Sequence, residues 1–189
     1  MDEKLSDYPE FWNEPMKSKV LSILQLKEEV ARVKSSGRTV VFTNGCFDLI
    51  HAGHVRYLAE ARAQGDVLVV GVNSDASVAA IKGPSRPLVP QDQRVEVVAA
   101  LESVTWAILF DDDTPEALIR EILPQVLVKG ADWPEDQIAG AATVKAAGGR
   151  VVRVPLEGSL STTGIIRKIL ATFGPDASGL TELTDKGGD

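Results

Sequence analysis

One cysteine, Cys46, and two histidines, His51 and His54, are all the thiol and imidazole groups in the 189 residues. A single thiol excludes an intramolecular disulfide and a thiolate metal cluster, and suits a reducing compartment, the cytoplasm. No apolar run approaches the roughly 20 residues of a membrane span, and no N-terminal stretch has the charged-then-apolar form of a signal peptide. Cations are in deficit as well: 20 Lys and Arg against 27 Asp and Glu give a net charge of −7 and a pI near 4.9. Affinity for a phosphodiester backbone rests on a net basic face, so neither nucleic acid nor a membrane is the expected partner. Two nucleotide motifs are missing too. No G-x-G-x-x-G follows Phe42 and no G-x-x-x-x-G-K-[ST] occurs anywhere, which removes the main support for a nicotinamide dehydrogenase or a P-loop NTPase. There is no internal repeat.

What is present is enough apolar material, 44% of the chain, for one sizeable core. The expected organisation is an N-terminal arm over 1–16, one folded domain over 17–173 and a flexible tail over 174–189. The arm, MDEKLSDYPEFWNEPM, is acidic and broken by Pro9 and Pro15, yet carries Tyr8, Phe11 and Trp12. A purely disordered tail is seldom so aromatic, so the arm is expected to dock on its own body or on a neighbouring subunit.

Within the domain, apolar runs too short for helices alternate with helical periodicity. Val20 to Val33 reads as an amphipathic helix with Leu21, Leu24, Leu26, Val30 and Val33 apolar. Val40 to Phe42 reads as a strand, Thr43 to Gly45 as a turn, and Ala52 onward as a helix through Val55, Leu58, Ala59 and Arg62. Val67–Val72, Val104–Phe110, Val126–Val128 and Val151–Val154 are further strands. Helices are expected over 76–81, 91–101, within 138–147 and over 161–173, and another opens at Thr114-Pro115-Glu116 with a cap, a proline at the first position and an acidic first turn. Continuous apolar strands alternating with helices mean an α/β fold, a Rossmann-like three-layer sandwich with a five-stranded, mostly parallel sheet and helices on both faces. Ligands of such sheets bind outside the carboxyl ends of the strands. The polar clusters Thr43 to Asp48, Asn73 to Asp75 and Lys129 to Asp132 each follow a strand, so they should meet on one rim.

The densest chemistry lies in TVVFTNGCFDLIHAGHVR, residues 39–56. His51 and His54 are three apart and share one face of a helix's first turn. Gly53 between them removes a side chain where a ligand can approach the backbone. Imidazoles beside a helix N-terminus can donate to phosphate oxygens and stabilise charge that moves during phosphoryl transfer. A zinc site would be short of ligands, with only Asp48 to add. Asp111 to Asp113 is an acidic run already favoured beside a helix N-terminus, so no protein-held metal is expected. Lys82 and Arg86, on the Pro- and Gly-rich stretch KGPSRPLVP, suit two phosphates brought together, and Arg94 could reach the same anions from the following helix. Ser161, Thr162 and Thr163 stand at a helix start, where hydroxyls and free N–H groups suit phosphate oxygens, although Ser161 could equally be a simple cap. Cys46 is expected to be a small buried neighbour of the loop, because nothing beside it is arranged to lower its pKa.

GCFDLIHAGH at 45–54 resembles the G-x-F-D-x-x-H-x-G-H signature of the cytidylyltransferase-like nucleotidyltransferase superfamily, and LSTTGII at 160–166 resembles its second motif. KGPSRPL at 82–88, DQR at 92–94, VKGAD at 128–132 and EGSLSTTGIIRKI at 157–169 are similar to its heptose 1-phosphate adenylyltransferase branch, in the stand-alone form with no sugar kinase ahead of it. The resemblance implies transfer of AMP from ATP to D-glycero-β-D-manno-heptose 1-phosphate, giving ADP-heptose, a precursor of the lipopolysaccharide core, and pyrophosphate. His51, His54, Lys82 and Arg94 would then be catalytic. Thr43, Asn44, Gly45, Cys46, Phe47, Gly53, Lys129, Gly130, Asp132 and Ser161 to Thr163, with both histidines, would bind the nucleotide; which of Lys129 to Asp132 reads base or ribose stays open. Asp48, Asn73, Asp75, Lys82, Arg86 and Arg94 fall on the substrate side, with Asp48 orienting the loop or the substrate. Mg²⁺ would arrive with ATP, bound mostly by phosphate oxygens and water. A homo-oligomer is expected. Relatives that make CDP-alcohols carry an Arg shortly before the Ser-Thr-Thr, where this chain has Leu156 and Glu157, which weakens a CDP-glycerol reading. The remaining alternative is a non-catalytic module that senses a nucleotide.

Overall fold

The computed structural model describes residues 18–131, 134–155 and 161–174. The expected N-terminal arm, the tail beyond Gly174, Asp132 and the Leu156-Glu157 pair lie outside them. Five strands form one sheet: β1 (Val40–Gly45), β2 (Val67–Asn73), β3 (Trp106–Phe110), β4 (Val126–Gly130) and β5 (Arg150–Val154). The order is β3-β2-β1-β4-β5 and every pairing is parallel. Seven α-helices accompany them: α1 (Ile23–Ser35), α2 (Ala52–Arg62), α3 (Asp75–Lys82), α4 (Gln91–Ala100), α5 (Glu116–Ile122), α6 (Ala141–Ala146) and α7 (Thr162–Phe173).

Side chains on a strand alternate between faces, and here both faces are covered. Val40, Phe42, Val67, Val69, Ile108 and Leu127 join α1, α5 and α6 in one core. Val41, Leu68, Val70, Val72, Ala107, Val126 and Val128 join α2 and α4 in the other. All seven residues of β2 are buried, which is why it reads as an unbroken apolar run.

The chain runs outward from β1 to β3 and then returns to β4 on the other side of β1. That reversal opens a crevice at the carboxyl ends of β1 and β4. The β1–β2 ladder continues to Gly45–Val72, whereas the β1–β4 ladder stops at Phe42–Leu127. Beyond that point the two central strands are joined by side chains.

Several local expectations are corrected. Thr43 to Gly45 continue β1 and do not form the turn. The first helix begins at Ile23 and not at Val20, because Ser22 and Gln25 make a reciprocal capping box. Val20 and Leu21 are extended against β3 instead, with the Leu21 N–H donating to the Ala107 carbonyl at 3.0 Å. Leu24, assigned to the apolar face, is exposed. On α2 the buried residues are Leu58 and Ala61, while Val55 faces solvent, so the inward stripe is rotated from the expected one. Pro115 occupies the cap position of α5 without a side-chain capping bond, and Lys82 is the last residue of α3 rather than part of the loop.

Candidate active site

Past Gly45 the chain turns sharply, and Phe47 takes a left-handed backbone conformation at φ +47°. A bulky residue pays for that geometry in steric strain, and such strain persists where packing over-determines it. The ring of Phe47 is buried and sits edge-on to His54, centroids 5.5 Å apart. His51 is the N-cap residue of α2 in extended conformation, and its ring stacks on His54 at 3.8 Å. The His51 N–H faces His54 Nδ1 at 3.4 Å, which leaves the proton of a neutral His54 imidazole on Nε2. Burial, with a further contribution from His51, lowers the His54 pKa to about 4. His54 is therefore a neutral hydrogen-bond donor near pH 7, and the favourable charge comes from the helix N-terminus. His51 Nδ1 is buried without a hydrogen-bond partner. An orphaned polar atom of that kind costs about 1–3 kcal/mol and fits a site that takes a polar ligand.

Behind this turn lies a framework of ion pairs. Asp48 is buried; one oxygen pairs with the Arg86 guanidinium and the other accepts from the Leu88 and Val89 N–H groups at 2.8 and 2.9 Å. Burial pushes the Asp48 carboxyl up, but the Val89 amide, Arg86 and the Leu88 amide outweigh it and hold the group below the usual carboxylate range. Asp48 thus orients the 83–90 loop, and Arg86 is tied to Asp48. Arg94, expected on the reacting phosphates, is 1% exposed and is bound by the protein's own loops. Its guanidinium donates to the carbonyls of Val89 (2.9 Å), Cys46 and Asn73 (2.7 Å) and to the Asp75 carboxylate (2.9 Å). Three carbonyl-ended segments converge on one planar fork, and with the Asp75 carboxylate they take four of its five N–H donors. Asn73, taken for a sugar contact, is likewise buried, and its amide donates to Ser77 Oγ at 2.9 Å. Asp75 keeps a half-exposed side chain and shares it with Arg94. Lys82 is exposed at the end of α3. Burial pushes the Cys46 thiol up, while Lys82, Arg94 and Arg86 partly oppose that, so nothing makes it a ready thiolate.

Across the crevice, Thr43 Oγ1 lies 2.7 Å from the Tyr57 hydroxyl, which donates to the Val128 carbonyl at 3.2 Å. Thr43 is fully buried with its hydroxyl so engaged. The Lys129 ammonium donates to the Asn44 side-chain oxygen. These contacts fasten β4 to β1 where their ladder has ended. Tyr57 was missed in the sequence, although it stands three residues after His54 on the same face of α2. Gly130 closes β4 and is buried, and Gly53 lies in the first turn of α2.

The second motif arrives from α7. Ser161 is its N-cap and accepts the Gly164 N–H at 3.0 Å, so that oxygen is used as a cap. The Thr162 hydroxyl donates to the Leu49 carbonyl at 3.4 Å, and Thr163 is exposed. Leu49 stands inside the first motif, so the two motifs meet at the rim. Asp111 to Asp113 are exposed, and no cluster of three or more His, Cys, Asp or Glu suited to a metal occurs among the described residues.

A family profile described as cytidylyltransferase-like matches residues 42–168, from the middle of β1 into α7. The chain belongs to that family. It is 53% identical over 150 residues to the bifunctional protein HldE of Yersinia enterocolitica and of Cronobacter sakazakii, and 48% identical over 156 residues to that of Trichlorobacter lovleyi. These alignments cover 79%, 79% and 82% of this chain but 32% of each relative, so the chain spans about a third of their length. Among solved structures it is similar to the lipopolysaccharide core biosynthesis protein of Thermoplasma volcanium, with 26% identity and a TM-score of 0.54 over 64% of this chain and 98% of that one. Pantoate-beta-alanine ligase of Francisella tularensis shares the fold, at 17% identity and a TM-score of 0.51 over 88% of this chain and 84% of that one. The Rossmann-like α/β fold expected from the strand and helix pattern agrees with both. No helix among the described residues is long and apolar enough to cross a membrane.

Proposed function

We propose that this chain transfers AMP from ATP to D-glycero-β-D-manno-heptose 1-phosphate, releasing pyrophosphate and forming ADP-heptose for the lipopolysaccharide core. The observation that carries this reading is the meeting of two family motifs at one rim, His51 and His54 on the first turn of α2 and Thr162 at the start of α7, joined through Leu49. Two helix N-termini facing a crevice suit a polyphosphate. The relatives at about 50% identity are named bifunctional, and a chain that matches a third of their length suits one of two activities. The similarity to a lipopolysaccharide core biosynthesis protein favours the sugar phosphate over an alcohol phosphate.

In the reaction, an oxygen of the sugar phosphate attacks the α-phosphorus of ATP in line, the bond to the bridging oxygen breaks, and pyrophosphate leaves with that electron pair. No covalent enzyme intermediate is required, and catalysis is positioning and charge stabilisation. His54 Nε2–H and the free N–H groups of α2's first turn donate to the departing phosphates, His51 Nδ1 gains the partner it lacks, and the exposed Lys82 supplies the mobile cation. Asp48, Arg86 and Arg94 hold the loops that carry these groups. Mg²⁺ would arrive with ATP and would supply screening of the phosphate charge; Asp48, engaged by Arg86 and by the Leu88 and Val89 amides, is not assigned to hold it. The enzyme would work in the cytoplasm, as a homo-oligomer.

Pyrophosphate release measured across a panel of nucleotides and sugar 1-phosphates tests the reading. It should require ATP, Mg²⁺ and the heptose 1-phosphate together. Turnover with CTP and glycerol 3-phosphate but not with ATP would transfer the chain to the CDP-alcohol branch, and tight ATP binding with no turnover on any acceptor would make it a nucleotide sensor.

A further inference from the structure

At the amino-terminal rim of the sheet, opposite the candidate active site, a groove of about 440 Å³ lies between the end of α1 and the starts of β2 and β3. Its floor is apolar, formed by Val33 and Val67, both buried, and the half-buried Trp106. Arg32 and Arg38 stand at its mouth beside Thr105. Arg32 extends into solvent and, among the described residues, pairs with its helix neighbour Glu29, at 3.1 Å. Arg38 makes no ion pair among the described residues. Nothing in the proposed chemistry uses this groove.

The chain itself enters the fold next to it. Lys19 is pinned on both sides: its carbonyl accepts the Ala107 N–H at 2.8 Å, and its ammonium donates to the Ala99 and Val104 carbonyls at 3.1 and 3.0 Å. Val20 bridges Ala107 in the parallel sense. Chain preceding Val20 is therefore directed toward the start of β3, where Thr105 and Trp106 line the groove. Seventeen residues precede Ser18, with five acids (Asp2, Glu3, Asp7, Glu10, Glu14) against two lysines. They also hold three aromatic residues within Tyr8 to Trp12, in the order Tyr-Pro-Glu-Phe-Trp. That stretch lies six to ten residues from Ser18, a reach of roughly 20–35 Å when extended. The groove begins one residue from the bridge at Ala107.

Charge, chemistry and reach thus agree on one occupant. We propose that the stretch Tyr8–Trp12 of the same chain docks in this groove, its aromatic rings on the Val33, Val67 and Trp106 floor and its flanking carboxylates at Arg32 and Arg38. Aromatic rings beside guanidinium groups add a favourable cation–π contact. A tether this short holds the stretch at an effective concentration on the order of millimolar, which favours the same chain over a second copy. Docked there, the stretch would also shield the outer edge of β3, where among the described residues Lys19 to Leu21 cover the open backbone groups at Ala107.

The test uses the full chain with the photo-crosslinking residue p-benzoylphenylalanine in place of Phe11, and peptide mapping after irradiation. The dominant crosslink should join position 11 to the peptides holding 32–38 or 105–106, in a species of monomer mass. Reversing the charge of both exposed arginines, Arg32→Glu with Arg38→Glu, should lower its yield at least fivefold while the circular dichroism melt stays in place. Crosslinks concentrated on α7 or on any other surface, or none at all, would overturn the proposal. So would isotopically mixed samples in which light-to-heavy crosslinks are as frequent as those within one chain, because the occupant would then be the arm of a second copy.

Discussion

Phe47 is packed into the second core with a strained backbone, His54 rests edge-on against it, and three segments are bound behind them by Arg94, whereas α7 buries none of its twelve residues and meets the first motif through one long hydrogen bond from Thr162. Both regions carry half of the proposed site. The β1–α2 half is fixed before any ligand arrives, as electrostatic preorganisation requires. The α7 half has few buried contacts, so it opens at low free-energy cost and can adjust to what binds. Ile169 and Leu170 are exposed on it as well. The difference assigns charge stabilisation to the first half and substrate closure to the second.

If that division holds, the largest stability loss comes from the scaffold. Arg94→Ala would leave three carbonyls and a carboxylate without their shared donor, and should cost about 3–5 kcal/mol in urea denaturation. Arg94→Lys should recover little of it, because an ammonium cannot reproduce a planar fork with four acceptors. A destabilisation below about 1 kcal/mol would show that the first half is not held as described.

His54→Ala comes next and touches the chemistry. Loss of one positioned donor should lower kcat about 10²–10³-fold, with a melting temperature within a few degrees of the parent. Thr162→Val sharpens the contrast from the other side. It removes a single part-buried hydrogen bond, so stability should fall by no more than about 1 kcal/mol while kcat/KM falls by about five- to tenfold.

The last effect is a pH dependence, felt only in acid. The His54 pKa is depressed to about 4 in the fold, so below the ordinary value near 6.5 the unfolded chain takes up a proton that the native state does not. Stability should be unaffected by this group above about pH 6.5 and fall progressively as pH drops toward about 4. His54→Gln should flatten that part of the profile; an identical slope in the variant would contradict the burial of the ring.

Much of this was legible in the chain. Continuous runs such as Val67–Val72 announce strands covered on both faces, and the His-x-x-His spacing beside a helix start announces an anion site. The partners of Arg94 were not legible for a physical reason: a cation near phosphate motifs gives no sign in the sequence that three strand and loop ends converge on it. The bonds of Asn73 to Ser77 and of Thr43 to Tyr57 were hidden in the same way, since each joins a neighbour distant in sequence or a turn away. The left-handed Phe47 left no signal at all, because Asn or Gly is the usual sign of that conformation. The start of α1 could have been placed better from Ser22 and Gln25, which spell a capping box.

The division between a fixed half and an adjustable half is tested most directly by amide hydrogen exchange with and without ATP and Mg²⁺. Without nucleotide, amides of α7 should exchange at least a hundredfold faster than those of β1 and the interior of α2, and ATP should slow residues 162–173 at least tenfold while changing β1 little. Exchange in α7 that is slow from the outset, or that ATP leaves unmoved while the first motif becomes protected, would contradict the account.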